Sequence, residues 1–245
     1  MYIINKNLLN QLEKTIYSIL LKEIKLNSTL SITEAAEICS CSPSKISKFV
    51  HKLGFKNYKE YSAFISGKVF SVIPDEKERL KKFLDDFNPE VVDHFIRYFK
   101  NFNKIILFGY GPSFIVGQYF EYKLRSITDL PVWAVPNEAS IGNLLQKNSL
   151  IIVFSVTGQF KSFQTLYDHA ASKNANMIFI SEEGSADFLE MYDFIVILSK
   201  YIQDPALEPH KKTRTTFFTF IEAVIEQMDT LSFETAKNSK NKTSK

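Results

Sequence analysis

Two stretches hold residue types that grip an anion. Gly109-Tyr110-Gly111-Pro112-Ser113 follows the apolar run Ile105-Ile106-Leu107-Phe108 and precedes a segment of helical period. Ser155-Val156-Thr157-Gly158-Gln159 leaves the apolar run Leu150 to Phe154 in the same manner. Short apolar runs bounded by turn residues read as buried parallel strands. At their ends glycine lets backbone approach a ligand, and the open N–H groups of the next helix favour negative charge. Ser113, Ser155 and Thr157 add hydroxyl donors, so the chemistry suits a phosphate monoester. The plainer alternative is an empty turn at the first stretch and helix capping by Ser155 and Thr157 at the second.

Two familiar phosphate loops are excluded. Phe114 stands where a dinucleotide fingerprint needs its third small residue, and no acidic residue closes the next strand, Val132 to Val135. A Walker loop needs a terminal Lys-Ser/Thr pair, which is missing.

A third set is cationic. Ser42, Ser44, Lys45, Ser47, Lys48 and Lys52 lie along one short segment whose apolar members, Ile46, Phe49, Val50 and Leu53, share the opposite face. Lysines neutralise phosphates and short hydroxyls near a helix start reach base edges, so these six are candidate contacts to double-stranded DNA. A helical interaction module with a solvated lysine face is the alternative. Catalytic and metal-ligating sets are sparse. Glu138 and His210 are the only candidates for a general base, and each also reads as a surface residue. Cys39 and Cys41 lack a second pair, and the four histidines are scattered, so no metal, cofactor or catalytic residue is expected.

The elements that must position these residues follow from periodicity. Leu8 to Ile24 carries apolar residues at helical spacing; Ser31 and Glu34 form a capping box for a second helix ending near Cys39. Ser42-Pro43 opens a third helix that Gly54 ends, and Asn57 opens a fourth carrying Tyr58, Tyr61 and Phe64. Two short helices joined by a brief turn predict a helix-turn-helix. A boundary falls at Gly67 to Pro74, then a polar connecting helix over 75–86 and a helix opened by Asn88-Pro89. From Lys104 onward strands alternate with helices: strands at 104–108, 131–135, 150–154, 176–180 and 194–198, and a last helix from Thr213 to Leu231. Alternation of this kind predicts an α/β fold with a doubly wound parallel sheet, flavodoxin-like, whose ligands lie beyond the carboxyl ends of the strands.

Charge and composition agree with a two-part chain. Hydrophobic content of 45% over 245 residues supports a substantial core. Net charge is +3 but uneven: the first 75 residues and the last eleven are basic and the middle is acidic. No apolar run approaches the ~20 residues that span a bilayer, and the first residues lack the order of a signal peptide. A cytoplasmic protein with no membrane partner is expected.

The segment SITEAAEICSCSPSKISKFVHKLGFKNYKEY resembles the N-terminal helix-turn-helix of the RpiR family of bacterial transcriptional regulators, on Ser42, Ile46, Lys48, Phe49, Leu53, Gly54, Phe55, Tyr58 and Tyr61. Lys48 stands where that family more often has arginine, which keeps the charge and loses the bidentate fork. Phe99 to Lys200 resembles the sugar isomerase (SIS) domain that follows in the same family. Gly109, Gly111 and Ser113 match its first loop, and Ser155, Thr157 and Gly158 its Ser-x-Ser/Thr-Gly. The Glu-Thr that should follow is replaced by Gln159-Phe160, so one hydroxyl is missing there. Ser181 to Ser185 and Asp193 follow the family's later stretch loosely.

The resemblance implies a helix-turn-helix DNA-binding domain at 1–74, a linker helix at 75–87, a SIS domain at 88–232 and a disordered basic tail at 233–245. It implies a regulator that binds an operator and senses a phosphosugar effector, as a homodimer or homotetramer, and that is not an enzyme. Gly109, Tyr110, Gly111, Ser113, Ser155, Thr157, Gly158 and Gln159 are then the ligand-binding candidates. A sugar-phosphate isomerase or lyase, or a regulator whose pocket has lost its ligand, are the alternatives.

Overall fold

A computed structural model describes residues 1–158, 162–184 and 191–242, with side chains described through residue 231. Gln159, Phe160, Lys161 and Ser185 lie outside the described residues.

Four helices come early: α1 (Gln11–Leu26), α2 (Ile32–Ile38), α3 (Pro43–Lys52) and α4 (Tyr58–Ile65). Their starts are written in the sequence. Asn10 and Glu13 form a capping box on α1, Ser31 and Glu34 another on α2, and Ser42 accepts the Lys45 N–H ahead of Pro43 on α3. Gly54, with φ of +89°, turns the chain out of α3.

The body is a six-stranded sheet. In chain order it contains β1 (Tyr2–Asn5), β3 (Lys104–Phe108), β4 (Val132–Val135), β5 (Ser149–Ser155), β6 (Asn176–Glu183) and β7 (Phe194–Ser199). Their spatial order is β1-β7-β6-β5-β3-β4, parallel throughout except for β1 against β7. A two-residue pair, β2 (Ser71–Val72) with β8 (Tyr201–Ile202), forms a second, parallel ribbon. Among the described residues the body also holds the helices α5 (Glu76–Asp85), α6 (Pro89–Phe99), α7 (Pro112–Ile127), α8 (Glu138–Leu144) and α9 (Ser162–Ser172). A long terminal helix, α10 (Thr215–Lys242), follows. The expected doubly wound α/β sheet is present.

Strand alternation divides the core between two faces. Ile106, Phe108, Ile151, Val153, Phe179 and Ile195 pack on one side, in a cluster continuous with the apolar centre of α1 to α4. Leu107, Ile152, Phe154, Ile178 and Val196 pack on the other side with Phe95, Phe120 and Phe220 from α6, α7 and α10.

One early segment departs from expectation. Tyr2–Asn5, read with the helical part, is the sheet's antiparallel edge, Ile3 facing Val196. The Tyr2 ring packs against both Phe55 and Phe64, centroids 5.6 and 5.0 Å away, and so ties the helical centre to the sheet edge. Periodicity could not show this, because the partner strand lies almost the whole chain away. At the other end α10 continues to Lys242, past Leu231 and through most of the stretch read as a tail from 233. No glycine or proline interrupts those residues.

Candidate functional site

Strand order reverses between β3 and β5: β4 lies on one side of β3, while β5, β6 and β7 lie on the other. Loops leaving β3 and β5 therefore splay apart at a topological switch point, where open α/β sheets bind ligands. These two loops are the ones singled out by residue type.

Glycine brings them together. A Cβ on Gly109 would lie 2.8 Å from Ser113 Cβ and 2.9 Å from the Phe154 carbonyl oxygen, so only glycine lets the first turn of α7 sit against the end of β5. Gly111 caps α7 at φ of +52°, a left-handed conformation that L side chains rarely adopt, and Pro112 occupies the first helical position. No side chain caps that helix; Pro112 has no N–H, and the N–H groups of Ser113 and Phe114 donate to the carbonyls of Tyr110 at 3.1 Å and Gly111 at 3.0 Å, so the hydroxyls are the donors this turn offers.

Ser113, Ser155 and Thr157 line one cavity of about 340 Å³, together with Tyr110. Ser113 and Ser155 are buried. The Ser155 hydroxyl oxygen accepts the Gly158 N–H at 3.0 Å, which turns the loop and leaves its own O–H available to donate. Gly109 and Gly158 shape the cavity without lining it. Gln159 lies outside the described residues.

The far wall was not foreseen. Pro209, His210, Lys212 and Arg214 come from the segment between β8 and α10 and close the cavity opposite the two loops. Lys212 is buried and spends its charge on Glu183, its Nζ 2.9 Å from Oε1 and 3.1 Å from Oε2. Arg214 donates from Nη1 to the carbonyls of Pro209, at 2.9 Å, and of Lys212. Its Nε is buried and has no partner among the described residues. Burial lowers the guanidinium's pKa, and the nearby Glu182 pulls the other way. The run His210-Lys211-Lys212-Thr213-Arg214 is the sequence signal that could have found this wall. Nothing in its spacing says which way it faces.

The SIS domain family model matches residues 98–225, more than half of the chain. The chain belongs to the SIS domain family. No curated protein matches it in sequence. The sugar isomerase domain of an RpiR transcription factor from Sphaerobacter thermophilus superposes with a TM-score of 0.53 at 13% identity, over 69% of this chain and 93% of its own. The c3406 protein of Escherichia coli CFT073 gives 0.53 at 14%, over 64% and 86%. The Vibrio vulnificus NanR protein complexed with ManNAc-6P gives 0.49 at 12%, over 96% and 91%. At such identities the likeness is one of fold.

The two candidate bases of the SIS domain are not brought together in a dry site. Tyr110 donates its hydroxyl to Glu138 Oε1 and lies 2.9 Å from Ser162 Oγ, so Glu138 is engaged by the wall of the cavity. Burial, then Glu138, raises the Tyr110 pKa. His210 stands exposed at the rim, 3.4 Å from Glu208.

The lysine-bearing face is less open than its sequence suggests. Glu13, on α1, draws Lys45 Nζ to 3.4 Å and Lys52 Nζ to 2.6 Å. The Lys52 bond is the largest of the causes that lower the Glu13 pKa. Ser42 is occupied as a cap, and Ser47 is half-buried. Ser44 and Lys48 are exposed, with His51 beside them. The six candidates therefore differ in how open they are, which sequence spacing could not show because the acid lies on a neighbouring helix.

Proposed function

We propose that this SIS-family chain is a cytoplasmic, DNA-binding transcriptional regulator of the RpiR type whose cavity takes a phosphorylated sugar as effector. The observation that carries the reading is the convergence of Ser113, Ser155 and Thr157 with Arg214 around one cavity. Its volume falls within the ~300–1,000 Å³ of small-molecule sites. Hydroxyl donors at the ends of two strands, with a guanidinium in the same cavity, form a receptor for a dianion. Arg214 lines the same cavity as Ser155 and Thr157, and its charge adds a cationic donor to a set that is one hydroxyl short of the family's motif. A sugar isomerase domain of the same fold, taken from a transcription factor, supports the assignment to a phosphosugar-sensing regulator.

Residues up to about 74 serve DNA in this reading, with α2 and α3 as the helix-turn-helix and Ser44 and Lys48 leading at the duplex. The stretch over 75–87 links, and residues 88–232 sense. Paired half-sites require a two-fold dimer or a tetramer built from such dimers.

Thermal shift followed by calorimetry over a panel of pentose, hexose and amino-sugar phosphates, ManNAc-6P among them, tests the sensor. One compound should stabilise the protein, and Ser155→Ala should weaken it by about 1.5–3 kcal/mol, the cost of a hydrogen bond to a charged group. A panel without a binder refutes the sensor. For DNA, Lys48→Ala should weaken binding to fragments upstream of the gene and reduce the salt slope by about 1. An unchanged slope removes α3 from the interface.

The contact of Glu138 with Tyr110 at the cavity wall favours, as a second reading, an aldose–ketose isomerase with Glu138 as base. Turnover over the same panel that Glu138→Gln abolishes would establish it; the regulator reading expects none.

A further inference from the structure

The wall formed by residues 212–214 has two sides. Lys212 and Arg214 line the cavity, and Thr213 between them engages the opposite side. Its N–H donates to Gln203 Oε1 at 2.8 Å, and Gln203 Nε2 donates back to the Thr213 carbonyl at 3.2 Å. The Thr213 hydroxyl donates to Glu76 Oε1 at 2.6 Å and receives Arg79 Nη2 at 3.3 Å. Glu76 and Arg79 belong to α5, which immediately follows the β2 ribbon and the four-helix part.

Arg79 is fully buried and is the centre of this arrangement. Its Nε and Nη2 take Glu76 at 2.6 and 2.9 Å, and its Nη1 takes Glu182 at 2.6 Å. Glu182 in turn accepts Gln203 Nε2 at 3.0 Å. Every one of these groups loses if its partner shifts, because a buried charge without a partner is costly. A displacement of Thr213 therefore cannot be absorbed by one side chain; it redistributes the bonds of Glu76 and Arg79.

We propose that residues 212–214 act as a lever between the cavity and α5, with Arg214 engaging a bound dianion and Thr213 transmitting the displacement to Glu76 and Arg79. The mechanical link is explicit: Arg214 is bonded to the Pro209 and Lys212 carbonyls of its own segment, so drawing its guanidinium toward an anion draws that backbone with it. The Arg214 bonds described use Nη1 alone, and its buried Nε has no partner among the described residues, so the guanidinium keeps donors for an anion. Coupling follows if the anion favours one position of the segment over the other. This lever rests on the phosphosugar reading of the cavity.

Hydrogen–deuterium exchange on the full-length chain, with calorimetry alongside, tests it using inorganic phosphate and glucose 6-phosphate as probes. At saturation the α5 amides, residues 76–85, should change their exchange rates by about threefold or more, as a shift in local opening requires. Arg214→Gln should weaken anion binding by about tenfold or more through loss of a charge-assisted bond. Thr213→Val should bind the anion within about twofold of the parent, since no bond to the ligand is lost, yet leave α5 unresponsive, and Thr213→Ser should restore the response. Anion binding in the parent with unaltered α5 exchange overturns the lever and spares the cavity. A Thr213→Val protein that responds like the parent does the same. Failure of both probes to bind overturns the cavity reading, and the lever with it.

Discussion

Lys45 and Lys52 on the α3 face, and Lys212 at the cavity wall with Arg79 behind it, are all paired with carboxylates, but they keep different amounts of water. Lys52 remains 37% exposed at its contact with Glu13, whereas Lys212 is 6% exposed against Glu183 and Arg79 is 0% exposed against Glu182. In the first setting solvent screens the attraction and stands ready to replace the partner, so a pair contributes only ~0–1 kcal/mol. In the second, no water replaces a lost partner, and the survivor is stranded in low dielectric. Lys52 and Lys212 are the same residue type against the same partner type; burial decides what each charge can do. Exposed lysines can exchange Glu13 for a passing phosphate at little cost, as a surface that binds and releases a polyanion must. Buried cations fix geometry.

Removing a carboxylate from each region breaks or sharpens this contrast. Glu183→Ala strands Lys212, and urea titration should show about 3–5 kcal/mol lost. A loss below about 1 kcal/mol would put this pair in the same class as the surface ones. Next in size is a pH effect. Burial pushes the Glu182 pKa from 4.5 up to about 7, against the pull of Arg79 and with Glu183 adding to the rise. The folded protein then holds a proton that the unfolded chain releases, so this group's contribution to stability falls as pH rises from about 4.5 to about 7 and is level above. Melting curves of the parent and Glu182→Gln across that window should converge or diverge with pH accordingly; parallel curves would show that the carboxyl titrates normally. Smallest is Glu13→Gln, which should cost less than about 1 kcal/mol of stability by the same titration. It should also strengthen DNA binding and steepen its salt dependence, because Lys45 and Lys52 are released. Weaker DNA binding by this variant would show that Glu13 orients the lysines instead of competing for them.

Much of this was legible in the residues. Caps at Ser31, Ser42 and Asn57 fixed the helix starts because capping is local chemistry. Apolar runs at Ile105 to Phe108 and Leu150 to Phe154 marked the central strands because strands buried on both faces need no alternation. The pairing of Ser113 with Ser155 was legible as well, since alternation of strands and helices puts both loops at one edge of the sheet. What was missed depends on contacts distant in sequence. Tyr2–Asn5 is too short to be recognised as a strand without β7 beside it. β6 runs on through Glu182 and Glu183, residues that read as loop from their polarity and are buried because Arg79 and Lys212 meet them. Arg214 fell within the helix read from Thr213, and Glu13 within the helical run from Leu8 to Ile24. Each acquired a second role from an element folded against it.

The edge strand β1 has a practical consequence for handling the molecule. Its partner β7 is entirely apolar in Phe194 to Leu198, and β1 satisfies the outer row of amides and carbonyls on that strand. An expression fragment beginning at Glu76, the natural choice for isolating the sensing half, would leave this hydrophobic rim bare and invite edge-to-edge association. On the ribosome the same order holds: the amino-terminal strand emerges first but finds its place only after residue 197 has left the tunnel, so closure of the sheet must be among the last events of folding.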